Sequence, residues 1–502
     1  GCQRGLSPFA AGAYHRRETI QEQSAKTMMQ HHTQKTAALL REHAALLARQ
    51  ERFADAFLIQ ALALKLAGSS DKDCRRAMDY AYSADMLEEC LEFFTEYLDG
   101  HPGDHTVLNM LAGLSGAMHL EERNRACTLQ LVEQRPFLPS RKHGGKISVL
   151  VLQSIASTPY FYSFKTKNFH MGEGHNNLQD LLDREDIACH YLRVDSYEAA
   201  NAALAGLPRM DIIYNNIADA DRCEHGLLNA ARLCDQLRLP IINHPRHVLK
   251  SKRRASVKLF ASCPGILAPE SVLIPPGQDL DEVCARLADN PAIQGPVILR
   301  VPGYQGGQCM VLSDMAEWGV RKLPAEQIRE KGLYIVKYLD VSFTDKRCPG
   351  KRFFPKYRAF FAAGKVYPIH VFVADSYNVH RRNSDELKSR FPWLSGMERD
   401  FLQDPAACFK KGRWEQLQNA LAETGLDYVG VDFAPMSART GQDELVIFEC
   451  NPCMRNSMLD RGTEAESRAR WRQVTRDMLQ LICRKTGKES WNFRLDAEAG
   501  GK

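Results

Sequence analysis

Three oxygen-bearing side chains late in the chain are spaced so that they could hold a hard cation. Asp432 stands in Gly-Val-Asp432-Phe, and Glu449 and Asn451 stand in Phe-Glu449-Cys450-Asn451. In a strand, two-residue alternation puts Glu449 and Asn451 on one face and Cys450 on the other. Carboxylate and amide oxygens are the set that Mg²⁺ takes together with substrate phosphates. The neighbouring run Val446-Ile-Phe448 is apolar, so these acids lie near a core, where unpaired charge is costly. A metal is one resolution and a buried Arg partner is the other. Upstream, Gly303-Tyr-Gln-Gly306-Gly307 separates the apolar runs 297–300 and 309–312. A glycine-rich hairpin lets backbone N–H groups approach an anion closely, as polyphosphate binding needs. No Gly-Lys-Ser/Thr follows, so it is not a P-loop. Lys356 and Arg358 share one face of a hairpin turning at Gly364, and His370 and His380 are candidate bases. Cys450-Asn-Pro-Cys453 lacks the second pair of a zinc ribbon and reads as a spacer between ligands.

The elements that must position these groups fall into three stretches of a 502-residue chain, 44% hydrophobic and 25% charged. That composition excludes fibrous and wholly disordered classes, and the length predicts about three domains. A net charge of +5 is small for this length and, with no aromatic residues interleaved in the basic run 246–254, argues against nucleic acid. Fifteen scattered cysteines fit free thiols in a reducing, cytoplasmic setting. No run of about 18 apolar residues predicts a membrane span, and no apolar segment beside Gly1-Cys2 supports a lipidated start.

Residues 1–140 read as a helical module. Leu39, Leu40, Leu46 and Leu47, then Phe57, Leu58, Leu62 and Leu66, are expected to form its apolar stripes. The stretch 93–136 resembles a tetratricopeptide unit, with helix pairs recurring at about 34 residues. Residues 146–246 alternate strand and helix, as a doubly wound parallel α/β sheet does. The loops 154–169 and 215–221, after strand C-termini, are expected to hold a ligand. Residues 247–490 mix strands and helices and carry the chemistry, and 491–502 are a tail. The overall class is α/β (α+β), multidomain.

In this order the pieces resemble the ATP-grasp superfamily. The carriers are Arg300 before the glycine loop, a hinge strand 334–340 ending in Asp340, the Arg358 hairpin, Asp432, and Glu449-Cys450-Asn451. The likeness runs from about residue 146 to 483 and implies a Rossmann-like domain followed by a two-subdomain grasp. It implies that Arg300, with Gly303, Gly306 and Gly307, contacts ATP phosphates, where the family often has Lys. Backbone around Val336, Lys337 and Tyr338 would meet adenine, Lys337 replacing a usual acid, and Asp340 would hold the ribose. Asp432, Glu449 and Asn451 would carry Mg²⁺, with Mn²⁺ able to replace it. Arg358 and Arg381 or Arg382 would steady the transferring phosphoryl group, with His370 as a further candidate. Arg254 or Lys258 is an additional candidate phosphate contact.

The activity so implied is an ATP-dependent carboxylate–amine ligase acting through an acyl phosphate and releasing ADP, in peptide or natural-product biosynthesis. Its substrates would be a carboxylate and an amine, an amino acid or peptide. The helical module would bind a peptide, a carrier or a second copy of the chain. A phosphotransferase on the same fold, or a helical scaffold with a degenerate nucleotide domain, are the alternatives.

Overall fold

A computed structural model describes residues 8–140, 142, 145–172, 174–176, 179–288, 295–302, 309–441, 443–454 and 464–488. The side chains of 8–26, 179–180, 253–254, 288, 317, 439 and 464 lie outside that description. Six helices come first: α1 (Pro8–Arg49), α2 (Phe53–Ala67), α3 (Asp71–Ser83), α4 (Leu87–Gly100), α5 (His105–Ala117) and α6 (Glu121–Gln134). Short turns make each helix fold back on its predecessor. The first helices of two successive pairs start at Asp71 and His105, 34 residues apart, and their second helices at Leu87 and Glu121, again 34 apart. Both pairs begin on a side-chain cap: Ser70 accepts from the Asp73 N–H, and Asp104 accepts from those of Thr106 and Val107.

The apolar stripes divide differently from the expectation. Leu47 and Phe57 are buried, whereas Leu39 (59% exposed), Leu46, Leu58 (57%), Leu62 and Leu66 face outward. Ala37, Ala44, Ala56, Ala61 and Ala63 are buried instead. Paired helices approach closely through small side chains, so the seam selects alanine and turns the neighbouring leucines away.

The strands that follow are β1 (Phe137–Leu138), β2 (Ile147–Gln153), β3 (Tyr160–Ser163), β4 (Asn168–Met171), β5 (Ile187–Arg193), β6 (Ile212–Asn215) and β7 (Ile241–Ile242). Five of them form a sheet in the order β1-β5-β2-β6-β7, parallel except for the antiparallel edge β1. Buried runs such as Val149-Leu-Val-Leu152 are what a sheet covered on both faces requires.

The chain divides into two compact units, one of Gly1–Arg135 with Pro159–Gly172, the other of Pro136–Thr158 with Glu173–Lys502. The hairpin β3–β4 therefore belongs to the helical unit. Asn124 Nδ2 donates to the Tyr160 carbonyl at 2.6 Å, the Tyr160 hydroxyl donates to Asn109 Oδ1 at 2.7 Å, and Tyr162 is buried. A Cβ on Gly116 would stand 2.1 Å from the Tyr160 carbonyl oxygen, so glycine is needed there. The loop 154–169, expected to hold a ligand, is thus largely spent on building the helical unit.

The second unit continues with β8 (Ile266–Leu267), β9 (Ser271–Ile274), β10 (Val297–Arg300), β11 (Met310–Ser313), β12 (Leu333–Lys337), β13 (Phe343–Thr344), β14 (Arg352–Ala362), β15 (Lys365–Ala374), β16 (Tyr428–Pro435) and β17 (Leu445–Asn451). One sheet is antiparallel in the order β11-β10-β12-β9 over a core of Val283, Leu299, Val320 and Ile335. The other runs β13-β14-β16-β17-β8, with β15 also pairing β14. Its core joins that of the parallel sheet through a buried Asn243 in left-handed conformation (φ 54°). Asn243 accepts from the N–H groups of Asp427 and Tyr428 and donates to the Tyr428 carbonyl, fixing the end of β7 to the start of β16.

Candidate active site

Register across the larger sheet builds a row of functional groups. Arg358 on β14 pairs with Asp432 on β16, which pairs with Glu449 on β17. Residues directly opposite in antiparallel strands share a face, so three separated sequence positions meet. The pairing shifts register next to Arg358 on one side and next to Asp432 on the other. Such bulges re-aim side chains and recur beside active sites.

Arg358 grips Asp432 with both arms: Nε donates to Oδ1 at 2.8 Å and Nη2 to Oδ2 at 2.9 Å. Lys356 Nζ lies 3.4 Å from the same Oδ2. Burial alone would raise the Asp432 carboxyl, but Arg358 and then Lys356 hold it at about 2, so it is ionised at neutral pH. Of the two resolutions the sequence left open, the Arg partner is present. Asn451 Nδ2 donates to Glu449 Oε1 at 3.1 Å, and Asn451 Oδ1 accepts from the Cys453 N–H at 2.7 Å.

This row floors a cavity of about 380 Å³ between the two sheets. Its apolar lining comes from Ile298, Met310, Val336, Leu339, Phe354 and Phe372. Its charged lining is mostly cationic, with Arg300, Lys337, Lys356, Arg358 and Arg381 against Asp432 and Glu449. His380 also faces it; burial first, and Lys356 next, lower its pKa and keep it neutral. Apolar walls together with clustered cations suit a flat heteroaromatic ring carrying a polyanion.

A second cavity, about 470 Å³, adjoins the first and shares Arg300, Phe448 and Glu449 with it. Its remaining wall carries Asp219, Asp221 and Arg222 from the loop after β6, Lys252, Lys331 and Asn451. The Asp219 side chain accepts from the N–H groups of Asp221 and Arg222, and the Gly174 carbonyl accepts from those of Ala218 and Asp219, so this loop is held from two sides.

The structure brings Arg300, Val336, Lys337, Tyr338, Arg358, Arg381, Asp432 and Glu449 to one cavity, with Asn451 at the adjoining one. It places other expected residues elsewhere. Asp340 pairs with Arg352 at 2.8 Å and accepts from the Ser342 N–H at 2.9 Å, and it does not line the cavity. The N–H groups of Lys337 and Tyr338 donate to the Glu270 and Pro296 carbonyls, so they are spent within the fold. His370, opposite Arg358 in register, is covered by the helix Leu394–Gln403, where Glu398 lies 3.4 Å from its Nδ1 and also pairs with Lys388. It is a buried structural group, not a cavity base. Arg382 points outward, 3.4 Å from Glu386. Lys258 is exposed and lines neither cavity. Gly303, Gly306 and Gly307, and the Arg254 side chain, lie outside the described residues. Cys450 is buried in the sheet with its thiol pushed up to about 12 by burial, while Cys453 Sγ donates to the His175 carbonyl.

The described residues contain no group of three His, Cys, Asp or Glu able to hold a metal. The donor set nevertheless fits Mg²⁺ as a cation bound by two carboxylates: Asp432 and Glu449 are adjacent, and both line the cavity.

No protein-family model and no curated protein matches the chain. Solved structures that it resembles include ATP-grasp ligases. The D-alanine–D-alanine ligase from Coxiella burnetii matches at 10% identity over 69% of this chain and 98% of its own, with a TM-score of 0.38. The ATP-grasp ligase PsnB, complexed with precursor peptide PsnA2 and AMPPNP, matches at 13% identity over 69% of this chain and 100% of its own, with a TM-score of 0.35. N5-carboxyaminoimidazole synthetase from Staphylococcus aureus, complexed with ADP, matches at 12% over 66% and 78%, TM-score 0.35. Among the described residues, no helix is long and apolar enough to cross a membrane.

Proposed function

We propose that the chain is an ATP- and Mg²⁺-dependent ligase that joins a carboxylate to an amine through an acyl phosphate. The observation that carries this reading is the wall common to the two cavities, Arg300, Phe448 and Glu449. A phosphoryl donor in the first and an acceptor in the second would meet there. In this reading the base lies against the apolar lining, and the phosphates run along Arg300, Lys356, Arg358 and Arg381. Asp432 and Glu449 would hold Mg²⁺, with Asn451 orienting Glu449 through its amide. The metal, when bound, offsets phosphate charge.

The acceptor carboxylate oxygen attacks the γ-phosphorus, the bond to the β-phosphate oxygen breaks, and ADP leaves. The amine nitrogen then attacks the acyl carbon, loses its proton, and expels phosphate. The chain's contribution is positioning and electrostatic stabilisation, with Arg358 kept charged by Asp432 despite its burial. The helical unit, with pairs recurring at 34 residues, is similar to a tetratricopeptide array and would hold a peptide or protein partner.

The test is ADP release with ATP, Mg²⁺ and a panel of amino acids and short peptides, followed by product mass. A product lighter than its two substrates by one water supports the ligase. A product retaining phosphate transfers the reading to a kinase, and absence of ATP binding by calorimetry leaves the scaffold.

A further inference from the structure

We infer that Tyr377 is a positioning residue that sets the spacing of the two sheets flanking the first cavity; the inference rests on the ligase reading. β11 is an edge strand, and its pairing with β10 alternates. The Val301 N–H donates to the Cys309 carbonyl at 3.0 Å, which makes that a hydrogen-bonded pair. Two residues along each strand, Leu299 and Val311 pair in the same way, so Ile298 and Leu312 are a non-bonded pair. The Leu312 N–H therefore points out of the sheet, as unpaired edge groups do.

This N–H donates to the Tyr377 hydroxyl at 3.0 Å. Tyr377 belongs to the opposite side of the cavity. It follows β15, its ring packs on Phe354, Phe372, Ala374 and Val379, and Arg381 begins a helix four residues later. Tyr377 lines the cavity, together with Arg300 and Met310 from one sheet and Lys356 and Arg358 from the other. At the far end the Asp340–Arg352 pair and the Ser437 N–H on the Asp340 carbonyl tie the sheet bearing Arg300 to the sheet bearing Arg358, and at the β11 edge this hydrogen bond does so. The separation of cations that must grip one triphosphate from two sides depends on it, and small errors in such placement cost rate steeply.

Two substitutions remove the same bond from opposite ends. Tyr377→Phe keeps the ring in its apolar cluster, and Leu312→Pro removes the donor where an outward-facing edge N–H tolerates proline. Each is expected to raise KM for ATP about fivefold, the worth of one neutral hydrogen bond. Each is also expected to raise ADP released per product formed, with the melting temperature of Tyr377→Phe lowered by no more than about 4 °C. The double variant should be no worse than either single one, because the two share one interaction. If Leu312→Pro does not fold, Tyr377→Phe decides alone. Wild-type KM and coupling in Tyr377→Phe, or single effects that multiply in the double variant, overturn the inference. Wild-type protein that binds no ATP by calorimetry overturns the ligase reading with it, whereas ATP binding with an unaffected Tyr377→Phe overturns this inference alone.

Discussion

Replacing Arg358 by Met would test the row of charges at its centre. The change keeps the aliphatic volume and removes the guanidinium from a carboxylate that is almost wholly buried. At an effective dielectric near 20, the Arg358–Asp432 attraction at 2.8 Å is about 6 kcal/mol gross, and that from Lys356 at 3.4 Å about 5 kcal/mol. Desolvation cancels most of both, and breaking a buried pair costs about 3–5 kcal/mol. Because Lys356 remains, the lower end applies, about 3 kcal/mol. The double variant Arg358→Met/Asp432→Asn, which removes the buried carboxylate and leaves only the partly exposed Lys356 without its partner, should recover more than half of that. The sign with pH follows. Asp432 is depressed from 3.8 to about 2 in the native protein, so its contribution is fully present above about pH 4 and is lost as pH falls toward 2. In Arg358→Met the share owed to Arg358 is gone at neutral pH and only that of Lys356 remains, so the penalty is largest there and shrinks as pH falls and the carboxyl protonates. The assay is urea denaturation read by tryptophan fluorescence at pH 7 and pH 3. All five tryptophans (318, 393, 414, 471 and 491) belong to the unit that holds the site, so the helical unit does not contribute to the signal. A loss below about 1 kcal/mol at pH 7, or a double variant as costly as the sum of its singles, would refute the reasoning.

Glu449→Ala is expected to abolish Mg²⁺-dependent ADP release while leaving the circular dichroism spectrum unchanged, since Glu449 is only half-buried at the strand end; unaltered turnover removes it from the metal site. Arg300→Ala should weaken ATP binding about tenfold by calorimetry, the loss of one charge-assisted contact of about 1.4 kcal/mol, and wild-type affinity would take the phosphate role from it. Arg381→Ala should lower kcat at least tenfold while Arg382→Ala stays within twofold of wild type, because only the former lines the cavity; equal effects would take the cavity role from Arg381.

The sequence made legible those features that depend on local period and order. Alternation along 445–451 puts Glu449 and Asn451 together, and the apolar β-branched run at 147–152 marks a parallel strand; both stand in the structure as read. Pairing between distant segments is not local, and there the reading went astray. Asp340 ends a hinge strand, as expected for a ribose contact, yet Arg352, twelve residues later, returns on β14 and takes its carboxylate. Sequence order places an acid after a strand, but only the register of the next strand decides whether its charge faces a ligand or an arginine. His370 illustrates the same limit from the other side. It stands opposite Arg358 in the row, and nothing in its own neighbourhood announces that Glu398 and Lys388 close over it. An acid and a lysine ten residues apart on consecutive helices look like surface charge until the packing of Leu387, Leu394 and Phe401 drives both helices onto β15. Buried ion pairs of this kind arise from tertiary packing, and so the same composition yields solvated charge at Arg382 and a sealed cluster at Lys388, six residues away on one helix. The charged residues that reach the cavity are those whose strands or helix ends open onto the gap between the sheets. That criterion selects Lys356, Arg358 and Arg381 and rejects His370 and Arg382, and it is a property of where the two sheets separate, which residue type and spacing do not encode.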